Sequence, residues 1–127
     1  MTETDIKRRI MLATASPDIR LWNNPVGQGW QGRSFEIRDK QLVFGQARRV
    51  NYGLCPGSSD LIGPRSIVIT PDMVGRRIAV FAAIEVKTET GRASVEQVSF
   101  CKTINSLGGM SGIARTEAEA ELILSTK

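Results

Sequence analysis

The sequence predicts an α/β protein in which a mixed central β-sheet is flanked by helices, and three observations carry that expectation. The opening stretch repeats apolar residues at helical spacing. The middle holds short β-branched and aromatic runs between Gly, Pro and Asn punctuation. The last third alternates strand-like with helix-like patterns. In order, Thr2 or Thr4 caps a first helix, with Glu3 and Asp5 in its opening turn and Ile6, Ile10 and Ala13 on one face. That helix ends before Ser16-Pro17, because the residue ahead of a proline is driven out of the α region. Arg20-Leu21-Trp22 reads as a short extended piece broken by Asn23-Asn24-Pro25, and the glycine-rich stretch from Gly27 to Gly32 reads as a loop. Strands are expected at Ser34 to Ile37 and Gln41 to Phe44 about a turn at Asp39-Lys40, while Ala47 to Tyr52 has no decided state.

Gly53 to Gly63 is a turn of small residues that brings Asp60 to the start of a short strand. Ser66 to Thr70 and Arg77 to Lys87 are β-branched and apolar between Gly and Pro, which predicts two more strands, and Thr88 to Gly91 is a turn. From Ala93 to Leu107 the pattern is helical, with Val98, Cys101, Ile104 and Leu107 or Gly108 on one face, and Gly108-Gly109 stops it. Met110 to Ala114 reads as the last strand. Thr116 then caps a terminal helix through Leu124, with Glu119 completing a capping box.

A chain of 127 residues is long enough for one cored domain and too short for two, so residues 1–127 are expected to form a single unit. No stretch approaches the ~18 consecutive apolar residues of a membrane span, and the start does not read as a secretory signal, which predicts a cytoplasmic protein with no membrane partner. Cys55 and Cys101 stand far apart with no CxxC spacing and are expected to be buried, reduced thiols. The chain has no histidine, which excludes Ser-His-Asp and Cys-His nucleophiles, His-ligated zinc and a His general base. Hydrolytic chemistry then rests on carboxylates, lysine and a hard cation. The net charge is +4, with basic groups at Lys7-Arg8-Arg9, Arg48-Arg49 and Arg76-Arg77, a balance that favours a polyanionic partner.

The chemistry-bearing residues stand at the end of the Arg77 to Lys87 run. Strand alternation puts Glu85 and Lys87 on one face and Val86 on the other. A facing strand bearing Asp60 would bring two carboxylates to one cation, with the Val86 carbonyl as a third oxygen, and oxygen ligands plus waters are what Mg²⁺ takes. Gln97 falls on the inward face of the next helix, where a polar group needs a partner: the lysine, a water or a substrate phosphate. Taken singly, Glu85 and Lys87 also read as a surface ion pair, Asp60 as a turn acid, and Gln97 as a cap or bridge at a helix start.

Together the segments Gly57 to Gly63, Ile84 to Lys87, Gly91 to Gln97 and Leu107 to Gly109 resemble the VRR-NUC branch of the PD-(D/E)XK nuclease superfamily, over most of the chain. Upstream, Arg20 to Asn24 with Gly27 and Gly29 resembles the segment that precedes that family's active site. The resemblance implies a restriction-endonuclease-like core and dependence on Mg²⁺ or Mn²⁺. It implies metal ligands at Asp60, Glu85 and the Val86 carbonyl, catalytic roles for Lys87 and Gln97, and a metal-bound water held by Glu3 of the first helix. It further implies an endonuclease that hydrolyses phosphodiester bonds of four-way or otherwise branched DNA, working as a homodimer in a bacterial or phage-infected cell. Arg48, Arg49, Arg76, Asn23, Asn24 and Trp30 are the expected DNA contacts, with Trp22 and Trp30 offering rings for a partner or for unpaired bases. Ser59-Asp60 stands where the family has its name-giving Pro-Asp, and a literal Pro71-Asp72 occurs later. Asp60 is preferred for its Gly-rich approach and the Leu61-Ile62 strand that follows. The alternative is a non-catalytic DNA-binding module that retains the fold, and the pattern fits RNA as well as DNA.

Overall fold

The structure, a computed structural model, describes residues 2–125. It is mixed α/β, and contacts divide the chain into two compact units, Met1–Leu21 with Gly63–Lys127 and Trp22–Ile62. Among the described residues the strands form four two-stranded ladders, not the one mixed central sheet expected from the pattern.

The first unit begins with helix α1 (Glu3–Thr14). Of the two candidate caps Thr2 is the one used, and its hydroxyl and N–H both bond the Asp5 carboxylate in a capping box. Those bonds, that from the hydroxyl first, hold the Asp5 carboxyl below the usual carboxylate range. The apolar face predicted for this helix is left half open, and no residue of α1 is buried.

Strand β7 (Ala82–Val86), helix α2 (Val95–Ser106) and strand β8 (Met110–Ala114) form a βαβ unit. The two strands are parallel, Ala82 opposite Met110 through Val86 opposite Ala114, so a helical crossover is required. Gly108 and Gly109 end α2 for two different reasons. Gly108 has φ 93°, a left-handed conformation that favours glycine, and the N–H groups of Gly108 and Gly109 return to the Asn105 and Ile104 carbonyls at 3.1 and 2.9 Å. At Gly109 a Cβ would lie 2.7 Å from both the Phe81 carbonyl oxygen and Ile104 Cγ2, so only glycine lets the chain enter β8 against β7.

The helix spacing read from the sequence places Cys101 and Ile104 inward, and both are buried, Ile104 completely. Ser111 of β8 is buried but satisfied: the Asn105 side-chain amide bonds its N–H and its carbonyl, each at 2.9 Å, and its hydroxyl donates to the Ala83 carbonyl at 2.7 Å. Helix α3 (Glu117–Ile123) lies on β8 with Ile123 against Gly112. Thr116 caps it as expected, but Glu119 bonds the Arg115 N–H and not the Thr116 N–H. With so small a buried set, Ile104→Ala is expected to destabilise the protein by about 2–5 kcal/mol, the usual cost of a cavity at a buried Ile. Urea unfolding measures it, and an unchanged midpoint would mean that Ile104 is no part of the core.

Two expected strands are shorter or missing. Ser66 to Thr70 forms no ladder and leads into a 3₁₀ turn (Pro71–Met73), and of Arg77 to Lys87 only Ala82–Val86 is strand. Ile67, Val68 and Ile69 are exposed, Val68 by 84%. β-propensity expresses a fit to a half-buried pleated surface, and without a neighbouring ladder it yields extended coil.

In the second unit β1 (Trp22–Asn23) pairs with β6 (Leu61–Ile62), β2 (Gly27–Gln31) with β5 (Arg48–Tyr52), and β3 (Ser34–Arg38) with β4 (Gln41–Gly45), all antiparallel. The β3–β4 turn falls where predicted, with Asp39 and Lys40 both at positive φ, as a two-residue primed turn requires. The stretch expected as a glycine loop is instead β2. Its glycines serve close approach: a Cβ at Gly27 would lie 2.6 Å from the Tyr52 hydroxyl, whose ring covers this part of the ribbon. Cys55, expected to be buried, is exposed in the loop after β5. Among the described residues no helix is long and apolar enough to cross a membrane.

Candidate active site

Glu85 and Lys87 stand at the carboxyl end of β7, the edge where parallel α/β units present ligand-binding groups. Alternation holds, with Val86 exposed and turned away from them. The Lys87 Nζ lies 3.2 Å from Glu85 Oε1, and the Lys87 N–H extends the ladder to the Ala114 carbonyl at 3.1 Å. Gln97 reaches the same carboxylate oxygen, its Nε2 donating to Glu85 Oε1 at 2.6 Å. The sequence demanded a partner for this inward amide, and it is Glu85 where the lysine, a water or a phosphate was expected.

The local fold explains why Gln97 is oriented so. Ser94 is the N-cap of α2 and Gln97 is the third helical residue: the Ser94 hydroxyl accepts from the Gln97 N–H at 3.1 Å, and Gln97 Oε1 accepts from the Ser94 N–H at 2.9 Å. Because Ser94 N–H can only donate, the amide oxygen is committed to the cap and its nitrogen faces Glu85. A capping box thus aims a side-chain donor at the strand end. The cap and the bridge, read from sequence as alternatives, coexist. Beside these groups a cavity of about 290 Å³ opens between β7 and α2, lined by Glu85, Gln97, Phe100, Cys101 and Ser111.

Arg115, which the sequence reading passed over, follows β8 and bonds the Thr88 and Gly91 carbonyls, the latter at 2.7 Å. It clamps the turn between Lys87 and α2, and so fixes the span that separates Lys87 from Gln97. No sequence signal marks it, because its place depends on the parallel register that sets the residue after Ala114 beside the residue after Val86.

Glu3, the expected holder of a metal-bound water, is 76% exposed and ion-paired with Lys7 at 3.1 Å, one helical turn on. Asp72, the acid of the literal Pro-Asp, accepts from the Thr70 hydroxyl within its own turn. Asp60 belongs to the second unit, and its loop is organised by Asn24. The Asn24 N–H donates to the Asp60 carbonyl at 2.8 Å, its Nδ2 to Ser58 Oγ and the Ser59 carbonyl, and its Oδ1 accepts from the Leu54 N–H. Asn24, expected as a DNA contact, thus spends its side chain on holding that loop. Asn23 pairs across the ladder with Leu61. Arg48 is tied to Gln31 Oε1, Arg49 lies 5.5 Å from the Trp30 ring centroid, and Arg76 sits exposed in the turn after the 3₁₀ segment.

Among the described residues no group of three or more His, Cys, Asp or Glu side chains is placed to hold a metal ion. The donors at the end of β7 are hard oxygens, the Glu85 carboxylate and the Val86 carbonyl, in a chain without imidazole. That donor chemistry suits Mg²⁺ or Mn²⁺, which are held by few carboxylates and keep several waters. Comparisons of the chain with family models, with curated proteins and with solved structures returned no match.

Proposed function

We propose that this chain is a metal-dependent endodeoxyribonuclease with a restriction-endonuclease-like core, which hydrolyses phosphodiester bonds in four-way or otherwise branched DNA as a homodimer. One observation carries the reading: Glu85 Oε1 is shared by Lys87 Nζ and by a Gln97 amide that a helix cap has aimed at it. A surface ion pair contributes little and has no use for a third, pre-oriented polar partner. A carboxylate that must face a cation in one orientation does.

Glu85 and the Val86 carbonyl would hold Mg²⁺ or Mn²⁺. The bound ion supplies Lewis-acid polarisation of the phosphoryl group and a water of lowered pKa. Gln97 orients the Glu85 carboxylate. Lys87 offers its ammonium to the negative charge that develops on the phosphoryl oxygens, a contribution that grows in a site with little competing water. Two-fold pairing of copies would present two equivalent sites to a two-fold junction.

Linear, flapped and four-way DNA, each incubated with and without Mg²⁺ or Mn²⁺ and resolved on denaturing gels, test the proposal. The expected result is metal-dependent cleavage that favours the branched substrates. Binding to all three with no cleavage under either metal would leave the non-catalytic DNA-binding module instead.

A further inference from the structure

We infer that the β2–β5 ribbon of the second unit is a platform for single-stranded DNA, with Trp30, Arg49, Gln28 and Asn51 forming one open face on which an unpaired base stacks. The inference refines the reading of this chain as a DNA enzyme and rests on it only for the choice of polymer. Directly opposed residues of an antiparallel ladder share a face, and the register opposes Trp30 to Arg49 and Gln28 to Asn51. All four side chains are exposed. The other face holds Gly27, Gly29 and Val50, half-buried beneath or beside the Tyr52 ring, together with the tethered Arg48. The two sides therefore differ in what they present: one the Tyr52 ring over glycines with Arg48 held by Gln31, the other the indole with a guanidinium that has no such tether, and the adjacent arginines of the Arg48-Arg49 pair fall on opposite sides.

The open side carries no aliphatic side chain. Its indole is 58% exposed with a guanidinium against the ring, the pairing used to stack bases and to meet the phosphate that follows them. Arg49's neighbours on this face are neutral amides and an indole, so a phosphate meets an uncompensated charge. Gln28 and Asn51 supply donors and acceptors for an exposed base edge. Between Trp22 and Ile62 basic residues outnumber acidic ones, which attracts a polyanion and opposes a second copy of the same face, where Arg49 would meet Arg49. Bases inside a duplex are already stacked, so the ring selects unpaired nucleotides, as at a flap or the centre of a junction.

Fluorescence anisotropy of the Glu85→Gln chain, without divalent metal, compares a short labelled oligothymidylate with blunt duplex of equal length. The single strand is expected to bind more tightly and to quench tryptophan emission. Trp30→Leu should weaken binding about tenfold and Trp30→Phe should recover most of it, in keeping with the usual worth of an aromatic stack. Arg49→Gln should cost more than Arg33→Gln, which removes the same charge elsewhere in the unit. Unchanged affinity in Trp30→Leu, or equal losses from Arg33→Gln and Arg49→Gln, would overturn the platform. Metal-dependent cleavage by the parent chain is scored separately. Cleavage with Trp30-independent binding sinks the platform alone, and Trp30-dependent binding without cleavage sinks the catalytic reading alone.

Discussion

Glu85→Gln is expected to lower metal-dependent cleavage by about a hundredfold or more while leaving DNA binding and thermal stability close to those of the parent. The substitution keeps the size of the side chain and an oxygen that can still accept from Gln97 and from Lys87, whose contacts at 2.6 and 3.2 Å tie the strand end together. What it removes is the charge that would hold the cation. Lys87→Ala should cost a similar factor by removing the ammonium from the developing phosphoryl charge, and the double variant should lose little more than either single one, because groups that act as a unit are not additive. Single-turnover cleavage of a four-way junction at saturating enzyme separates the chemical step from binding. Near-parental rates in Glu85→Gln would remove the site from β7 altogether. Rates lost in step with binding or with melting temperature would mean that the contacts at Glu85 are structural.

Asp60→Asn is expected to cause a comparable loss, about a hundredfold, whereas Asp72→Asn leaves cleavage within a few-fold of the parent. Asp60 is the ligand that the resemblance implies, and the two acids differ in how the backbone presents them. Asp72 is committed to the Thr70 hydroxyl inside the 3₁₀ turn, a contact that organises its own backbone. Asp60 follows a loop whose main chain is held by Asn24 at Leu54, Ser59 and Asp60, so an acidic residue is delivered at the start of β6 from a defined frame. Asn24→Ala, measured beside them, should lower the rate less than Asp60→Asn. If Asp72→Asn abolished cleavage and Asp60→Asn did not, the literal Pro-Asp would be the acid of this site and the Gly-Ser-Ser approach to Asp60 would be an ordinary turn.

The sequence by itself determined the features whose partners lie within a few residues. Thr2 and Thr116 each cap a helix because their hydroxyls reach an N–H three residues on, and Ser94, inside the helix expected from Ala93, does the same for α2. Asp39-Lys40 turns β3 into β4, Gly108 stops α2, and the alternation of β7 sets Glu85 and Lys87 together and Val86 apart, all from local backbone geometry. Tertiary structure decided wherever the partner is remote. Gly27 to Gln31 is a strand because β5 supplies its ladder and Tyr52 needs glycines beneath its ring, while the more β-prone Ser66 to Thr70 has no ladder and stays coil. The same holds at the site. That Gln97 faces inward was legible from helical spacing, but its partnership with Glu85 needs the parallel β7–β8 register and the α2 crossover, and the clamp by Arg115 needs the same register. A cap or turn is stabilised by atoms that chain connectivity already holds near one another, so residue identity suffices. A strand ladder or a shared carboxylate exists only after loop closure has brought distant segments together, and sequence pattern alone does not specify which segments meet.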